Sequence, residues 1–336
     1  MSEAHSALSA DVLIAADLRG TDSHGVARLP GYVRLWEQGR ANMNPVFKIV
    51  TETPSTATLD ADAALGLVSA QEAMKIAIQK AEYAGTGWVS VRNSNHFGIA
   101  SYHASLALKK NMIGIAMTNA SPLVAPHGGT ERMLGTNPIC YVFPAGKFQP
   151  IVIDLATSSA ANGKLEIAER TGKKIPDGWA MDQESHSSKD PGVLKKGGML
   201  LPLGSGEAEA GHKGYALGAM VDILSSILSG ANYGPWVPPF VSFLEPFLDL
   251  PGKGIGHFLG AMRIDAFRPQ EEYVTHIEKW VERFRNSKPL KPGMRVLIPG
   301  EPEADIYEKR LRLGIPLENT VTDELSKLAV KMQIEF

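Results

Sequence analysis

Cysteine is nearly missing: the 336 residues contain one, Cys140. A single thiol closes no internal disulfide and builds no paired-cysteine zinc site, a usage that suits a reducing, cytoplasmic setting. An excess of charge is missing too. The 34 Lys+Arg against 36 Asp+Glu leave a formal net charge of -2, and no basic run supplies the footprint of a nucleic-acid or anionic-membrane surface. The first residues include Glu3 and Asp11 and lack the basic start, apolar centre and small-residue cleavage site of a secretory signal. Long hydrophobic runs are absent: the most apolar stretch, 215–250, is cut by Asp222, by Ser225 and Ser226, and by four residues that break helices, Gly234, Pro235, Pro238 and Pro239. No membrane span of ordinary length fits there.

The stock catalytic and nucleotide motifs fail as well. After Gly204 and Gly206 the third position of a G-x-G-x-x-G fingerprint is Glu209, and after Gly252 and Gly254 it is His257, so a conventional Rossmann domain is disfavoured. Gly146-Lys147 and Gly163-Lys164 lead into Phe148 and Leu165, where a P-loop needs Ser or Thr. No HExxH, EF-hand loop or GxSxG elbow occurs, and no metal is expected. What is present is a globular composition, 44% hydrophobic and 21% charged, enough for a packed core.

Periodicity predicts helices over 3–18 and about 24–38, with Pro30 either kinking the second or opening a new one. Short β-type runs at 47–51 and 57–59 precede a helix that Ser69 and Glu72 start with capping-box spacing and Gly85 stops. Strands are then expected at 88–91, 113–117, 139–143 and 151–154, with a helix over about 97–110. Residues 163–211 read as a largely irregular, functional excursion. An apolar helix over 213–228, buried on most sides, follows, then an amphipathic helix behind Pro269 and two weaker helices. The expected class is α/β of α+β type: a mixed sheet in a cofactor-binding domain over 66–269, flanked by a helical, dimerising domain from 1–65 with 270–336.

Three polar groups carry candidate chemistry. In the first, His24, Arg28 and Tyr32 stand at i, i+4 and i+8, which aligns an imidazole, a guanidinium and a phenol if one helix continues through them. Arg grips a carboxylate with two hydrogen bonds, and His with Tyr positions or protonates a neighbouring oxygen. The same residues also read as a helix cap followed by a surface helix. In the second, His96 follows a strand, where α/β folds place their chemistry, as a candidate acid or base; a turn motif is the alternative. In the third, small residues at 118–122, 134–138 and 154–159 suit close backbone approach to a cofactor or equally suit turns. Lys213, near a helix start, reads as a phosphate contact or a solvated terminus.

Taken in order, ADLRGTDSHGVARLPGY, NSNHFGIASY, TNASPLVAPHGG, LGTNPI, IDLATSS, IPDGWAMD, LPLG and GHKGYAL resemble the malate/L-lactate dehydrogenase family. Its members are oxidoreductases of 2-hydroxy acids that use NAD(P) without a Rossmann fold, ureidoglycolate and sulfolactate dehydrogenases among them. The resemblance covers nearly the whole chain. It implies a homodimer with a non-Rossmann NAD(P)-binding fold, NAD first and NADP as the alternative, and a small 2-hydroxy or 2-oxo acid substrate, malate/oxaloacetate favoured. Carried over residue by residue, it implies His96 as catalytic acid/base with His24 as the second candidate. Ser23, Arg28 and Tyr32 become substrate contacts, and Ala120, Ser121, Asp154, Leu155, Ala156, Lys213, Gly300 and Glu301 cofactor contacts. Two departures stand out. The GTDSH motif comes some 20 residues early, so the N-terminal helix is expected shortened or missing, and 232–240 matches no pattern and is a candidate for substrate choice. The rival readings are an NADPH-dependent reductase of another 2-oxo or cyclic imino acid, and an inactive nucleotide-binding homologue.

Overall fold

The computed structural model describes residues 1–206 and 210–335; Glu209, the residue that breaks the first glycine fingerprint, lies outside them. The helices in chain order are α1 (Glu3–Leu18), α2 (Leu29–Glu37), α3 (Gly66–Ala84), α4 (Ala100–Ser105), α5 (Asn162–Arg170), α6 (Gly211–Asp222), α7 (Gln270–Arg285), α8 (Glu301–Leu313) and α9 (Asn319–Met332). The strands are β1 (Lys48–Glu52), β2 (Thr56–Ala64), β3 (Thr86–Ser94), β4 (Met112–Thr118), β5 (Ile139–Phe143), β6 (Ile151–Leu155), β7 (Ala180–Met181), β8 (Met199–Leu200) and β9 (Ile255–Arg263).

Seven strands form one sheet in the order β1-β2-β3-β9-β4-β5-β6, with β7 and β8 a separate ribbon. Only β2 and β3 run parallel; the other neighbours in the large sheet are antiparallel. A parallel pair requires a crossover, and α3 supplies it. The fold is mixed α/β, as expected from the sequence, and lacks the doubly wound parallel order of a Rossmann sheet. Helix α3 lies close on the sheet because its inner stripe is small: Ala70, Ala73, Met74, Ala77 and Ala81 pack on Val89, Val91, Leu259 and Ala261, all fully buried. Each large apolar side chain buried in this way contributes roughly 1.5–3 kcal/mol. Cys140, on β5, is part of the same core. The two ends of the chain meet, with α1 packed on α8 and α2 on α9, while residues 48–64 of the N-terminal part also give the sheet its β1 and β2.

Several local expectations change. Pro30 sits in the first turn of a new helix, α2, so 22–28 is two short 3-10 turns and not a continuous helix. Helix α3 begins at Gly66, three residues before its expected cap, and Ser69 lies within it, hydrogen-bonded to Ser94 (2.6 Å). The stretch read as irregular over 163–211 holds most of α5 and the β7–β8 ribbon. Helix α6 continues into a π-type turn, Ile223–Ile227, and is not buried on most sides: Tyr215, Leu217, Met220, Ile223, Ile227 and Leu228 are all exposed. The expected 97–110 helix is short, α4 followed by a 3-10 stretch.

Candidate active site

The turn after α1 is built by a carboxylate under a glycine. Asp17 accepts the Val26 N–H (2.8 Å), and a side chain on Gly25 would lie 1.8 Å from the Asp17 Oδ1, so only glycine lets the turn sit there. From α8, Arg310 donates to Asp22 and to the Asp17 carbonyl. The turn presents Ser23, His24 and Arg28. Ser23 Oγ pairs with His24 Nδ1 (2.9 Å), Arg28 Nε donates to the Ser23 carbonyl (2.5 Å), and Arg28 Nη2 donates to Glu166 on α5 (2.7 Å). Asn162 holds the other Glu166 oxygen (2.8 Å).

The exit of β3 brings His96 to the same place. Asn95 anchors it by donating to the carbonyls of Arg40 (3.3 Å), Ala63 (2.9 Å) and Ala64 (3.0 Å). Behind it Ser94 Oγ meets His257 Nε2 (2.7 Å), and His257 Nδ1 meets Thr118 (2.7 Å). Tyr32, from α2, places its hydroxyl 2.6 Å from His96 Nδ1. The imidazoles of His24 and His96 are nearly parallel with centroids 5.7 Å apart. His24, Arg28 and Tyr32 thus converge with His96, although the continuous helix that suggested their alignment does not exist.

A cavity of about 680 Å³ opens beside this group, within the range of small-molecule and cofactor sites. Of the candidate site residues named from the sequence, Ser23, His24, Asp154, Leu155, Ala156 and Gly300 line it; His96 and Tyr32 stand beside it, and Arg28 lines a separate cavity with Glu166 and Phe240. The others lie elsewhere in the single chain: Lys213 is exposed on α6, and Ser121 is buried with its hydroxyl accepting the Phe240 N–H (2.8 Å). The Ala120 N–H donates to Asn137 (3.2 Å), and Glu301 pairs with Arg285 at the start of α8, beside a different cavity. Periodicity did not single out Arg19 and Lys164, which line the cleft, nor Glu166 and Phe240. Lys164 belonged to a glycine-lysine pair that failed as a P-loop, and Glu166 to a stretch read as irregular. The cleft suits a dinucleotide: Gly98, Ala100, Ala156, Ala160 and Ala161 leave room, Arg19 and Lys164 bring positive charge, and Asp154 and Glu303 bring acceptors.

Residues 1–326 match the malate/L-lactate dehydrogenase family. The chain belongs to that family. Among its relatives, malate dehydrogenase from Pyrococcus abyssi is 45% identical over 97% of this chain and 88% of its own length. Malate/(S)-sulfolactate dehydrogenase from Methanothermus fervidus is 37% identical over 100% of this chain and 94% of its own. The solved malate dehydrogenase of Pyrococcus horikoshii superposes with a TM-score of 0.89 at 40% identity, covering 100% of this chain and 90% of that one. That of Entamoeba histolytica gives 0.91 at 34% identity, over 100% and 93%. The protein is accordingly a dehydrogenase of small hydroxy acids that works with a nicotinamide cofactor.

In this dehydrogenase the histidines of the site are tuned by their surroundings. Burial, then the Arg28 charge, push His24 down to about 4, with Glu166 opposing them. Burial, then His24, Arg28 and His257, hold His96 well below the ordinary histidine range. Burial raises the Tyr32 phenol above its usual value, so it keeps its proton. These surroundings favour the uncharged His96 imidazole, whose Nδ1 faces the Tyr32 hydroxyl.

Proposed function

We propose that this enzyme interconverts malate and oxaloacetate with NAD(H), and that His96 is its acid/base residue. What carries the reading is the uncharged His96 imidazole, oriented through Nδ1 by Tyr32 at 2.6 Å, next to the Arg28 guanidinium. The hydride exchanged with C2 of the hydroxy or oxo acid is the chemistry a nicotinamide would supply when bound. In the oxidative direction His96, with its single proton on Nδ1 and donated to the Tyr32 oxygen, takes the hydroxyl proton on Nε2 while Arg28 grips the carboxylate, with His24 and Ser23 bordering the pocket. In the reductive direction His96 enters protonated and gives its Nε2 proton to the forming alkoxide. The anionic substrate offsets the Arg28 charge that disfavours imidazolium, so substrate binding itself raises the proton affinity of His96. Asp154, Leu155, Ala156 and Gly300, with Lys164 and Arg19, would hold the dinucleotide.

The enzyme works as a homodimer in this reading. The apolar side of α6 and its continuation, from Tyr215 to Leu228, is uncovered in the single chain, and such a continuous patch calls for a partner; Lys213, exposed at the start of the same helix, would stand close to a second copy. The helices of 1–65 and 270–336 form the flanking layer.

The test follows NADH absorbance with oxaloacetate and with a panel of 2-oxo acids, each against NADH and NADPH. We expect oxaloacetate with NADH to give the highest kcat/KM and His96→Ala to lower kcat by about 10²–10⁴-fold, the usual worth of an acid/base group. An unchanged kcat in His96→Ala removes the assigned role.

A further inference from the structure

The segment 232–240, which matched no family pattern, ends in a phenylalanine that lies on the site. The Phe240 ring stacks on the His96 imidazole with centroids 4.4 Å apart and planes 21° apart, and it leans on Tyr32 at 5.1 Å. We propose that Phe240 is a positioning residue for His96: its ring covers one face of the imidazole and fixes the angle at which Nε2 meets the substrate. This rests on the acid/base reading of His96.

The ring is held in several ways at once. Its backbone N–H donates to Ser121 (2.8 Å), its carbonyl accepts from Arg34, and the Pro239 carbonyl accepts from Arg40 (2.9 Å). Helix α2 makes room for it through Gly31, where a side-chain carbon would lie 2.6 Å from Phe240 Cζ. Ser121 thus acts on the imidazole through Phe240. The loop bearing Ser121 leaves β4 at Thr118, and Thr118 is joined through His257 to Ser94 at the exit of β3. The two loops that meet at His96 are therefore tied behind it as well as across it. A planar ring does two things an aliphatic chain cannot: it restricts rotation of the imidazole about its χ2, which is otherwise soft, and it keeps water from one whole face.

The groups that set the charge of His96 come from three elements: His24 and Arg28 from the turn before α2, Tyr32 from α2, and His257 from β9. Removing the Phe240 ring leaves all of them in place and admits water, which favours the charged imidazole. The decisive measurement is the imidazole titration of His96, read by NMR on histidine-labelled holoenzyme with His96→Gln as the assignment standard, beside the pH profile of kcat/KM. For Phe240→Ala we expect His96 to titrate higher by about one pH unit, the acidic limb of the profile to move with it, and kcat to fall by about 10-fold as the imidazole loses its fixed orientation. Phe240→Tyr, which keeps the flat ring, should retain the parent titration; Phe240→Leu, which keeps most of the volume, should behave like Phe240→Ala and stands in for it if that variant does not fold. Identical titrations and profiles in the parent, Tyr and Leu variants, with stability alone changed, overturn the proposal. A shifted titration together with full activity of His96→Gln would instead leave the positioning role intact and reject the acid/base reading on which it was built.

Discussion

Replacing Gly66 by Ala tests how the fold delivers His96. Gly66 is the first residue of α3, and a β-carbon there would lie 2.1 Å from the Asn95 carbonyl oxygen and 2.6 Å from the carbonyl carbon of His96. Relaxed contacts between such atoms are about 3.5 Å, so helix and loop must separate by roughly 1 Å. Neither side yields easily. Asn95 is tied to three backbone carbonyls, and α3 is seated on the sheet by fully buried Ala70, Ala73 and Met74. Alanine favours a helix over glycine by at most about 1 kcal/mol, and by less in the first turn, whereas overpacking of a well-filled site costs about 1–3 kcal/mol. The clash wins, and a net loss of about 1–2 kcal/mol in urea unfolding is expected. The larger effect falls on catalysis, because a displacement of about 1 Å in a reacting group lowers kcat by roughly 10²-fold. Gly192→Ala is the control: the added carbon meets nothing closer than 3.4 Å, and its stability should change by less than about 0.5 kcal/mol. A Gly66→Ala enzyme as stable as the parent, with kcat within about twofold, would refute the claim that this contact sets the place of His96.

Acid should unfold the protein earlier than its carboxylates alone would suggest. His24 and His103 are held down to about 4 and His257 to about 3, all chiefly by burial. The unfolded chain binds these protons below its ordinary value near 6.5, so the stability they give is full above that pH and is lost as the pH falls toward 4. His103 accounts for about 3 kcal/mol of that loss. Asp17, raised to about 6 by burial, titrates the other way and offsets part of it. Unfolding free energies at pH 7 and 5 should show a fall that shrinks by about one proton's worth in His103→Phe; an unchanged pH slope rejects the assignment. Charging the exposed side of α6 with Ile223→Glu and Ile227→Glu should convert a dimer to monomer in sedimentation equilibrium; a dimer of parental affinity would place the interface elsewhere.

The sequence exposed most of the sheet but not its central strand. Strands β4, β5 and β6 are apolar runs bounded by turn residues, and local pattern suffices for them. Strand β9, which joins the two halves of the sheet, escaped because Gly256 and Gly260 lower its β character. The reason for those glycines is tertiary: side chains there would lie 2.1 Å from the Ser225 carbonyl and 2.5 Å from the Trp88 ring. The misreading of α6 has a related origin. Periodicity reports that a helix is apolar without saying whether a core or another surface covers it, and Met220 and Ile223 stand in the open while Val221 packs on the sheet.

The site was legible where chemistry is clustered in sequence and illegible where it depends on approach from a distance. His24, Arg28 and Tyr32 drew attention through their spacing, and the geometric reason first given for it fails, since Gly25 and Pro30 divide the segment into separate turns. What brings the three residues together is a set of long-range restraints: Asp17 beneath the turn, Arg310 across it, and the Tyr32 hydrogen bond to a histidine 64 positions away. Glu166 reaches Arg28 over 138 positions, and the Ser121 bond to Phe240 spans 119; neither has a local signature. The same restraints explain how an imidazole stays uncharged beside a guanidinium. Burial costs the charged form of His96 more than neighbouring charge does, and Phe240 contributes to that burial from a segment that periodicity left unassigned. A reading confined to polar motifs therefore finds the groups that hold protons and overlooks the apolar ring that helps determine when they do.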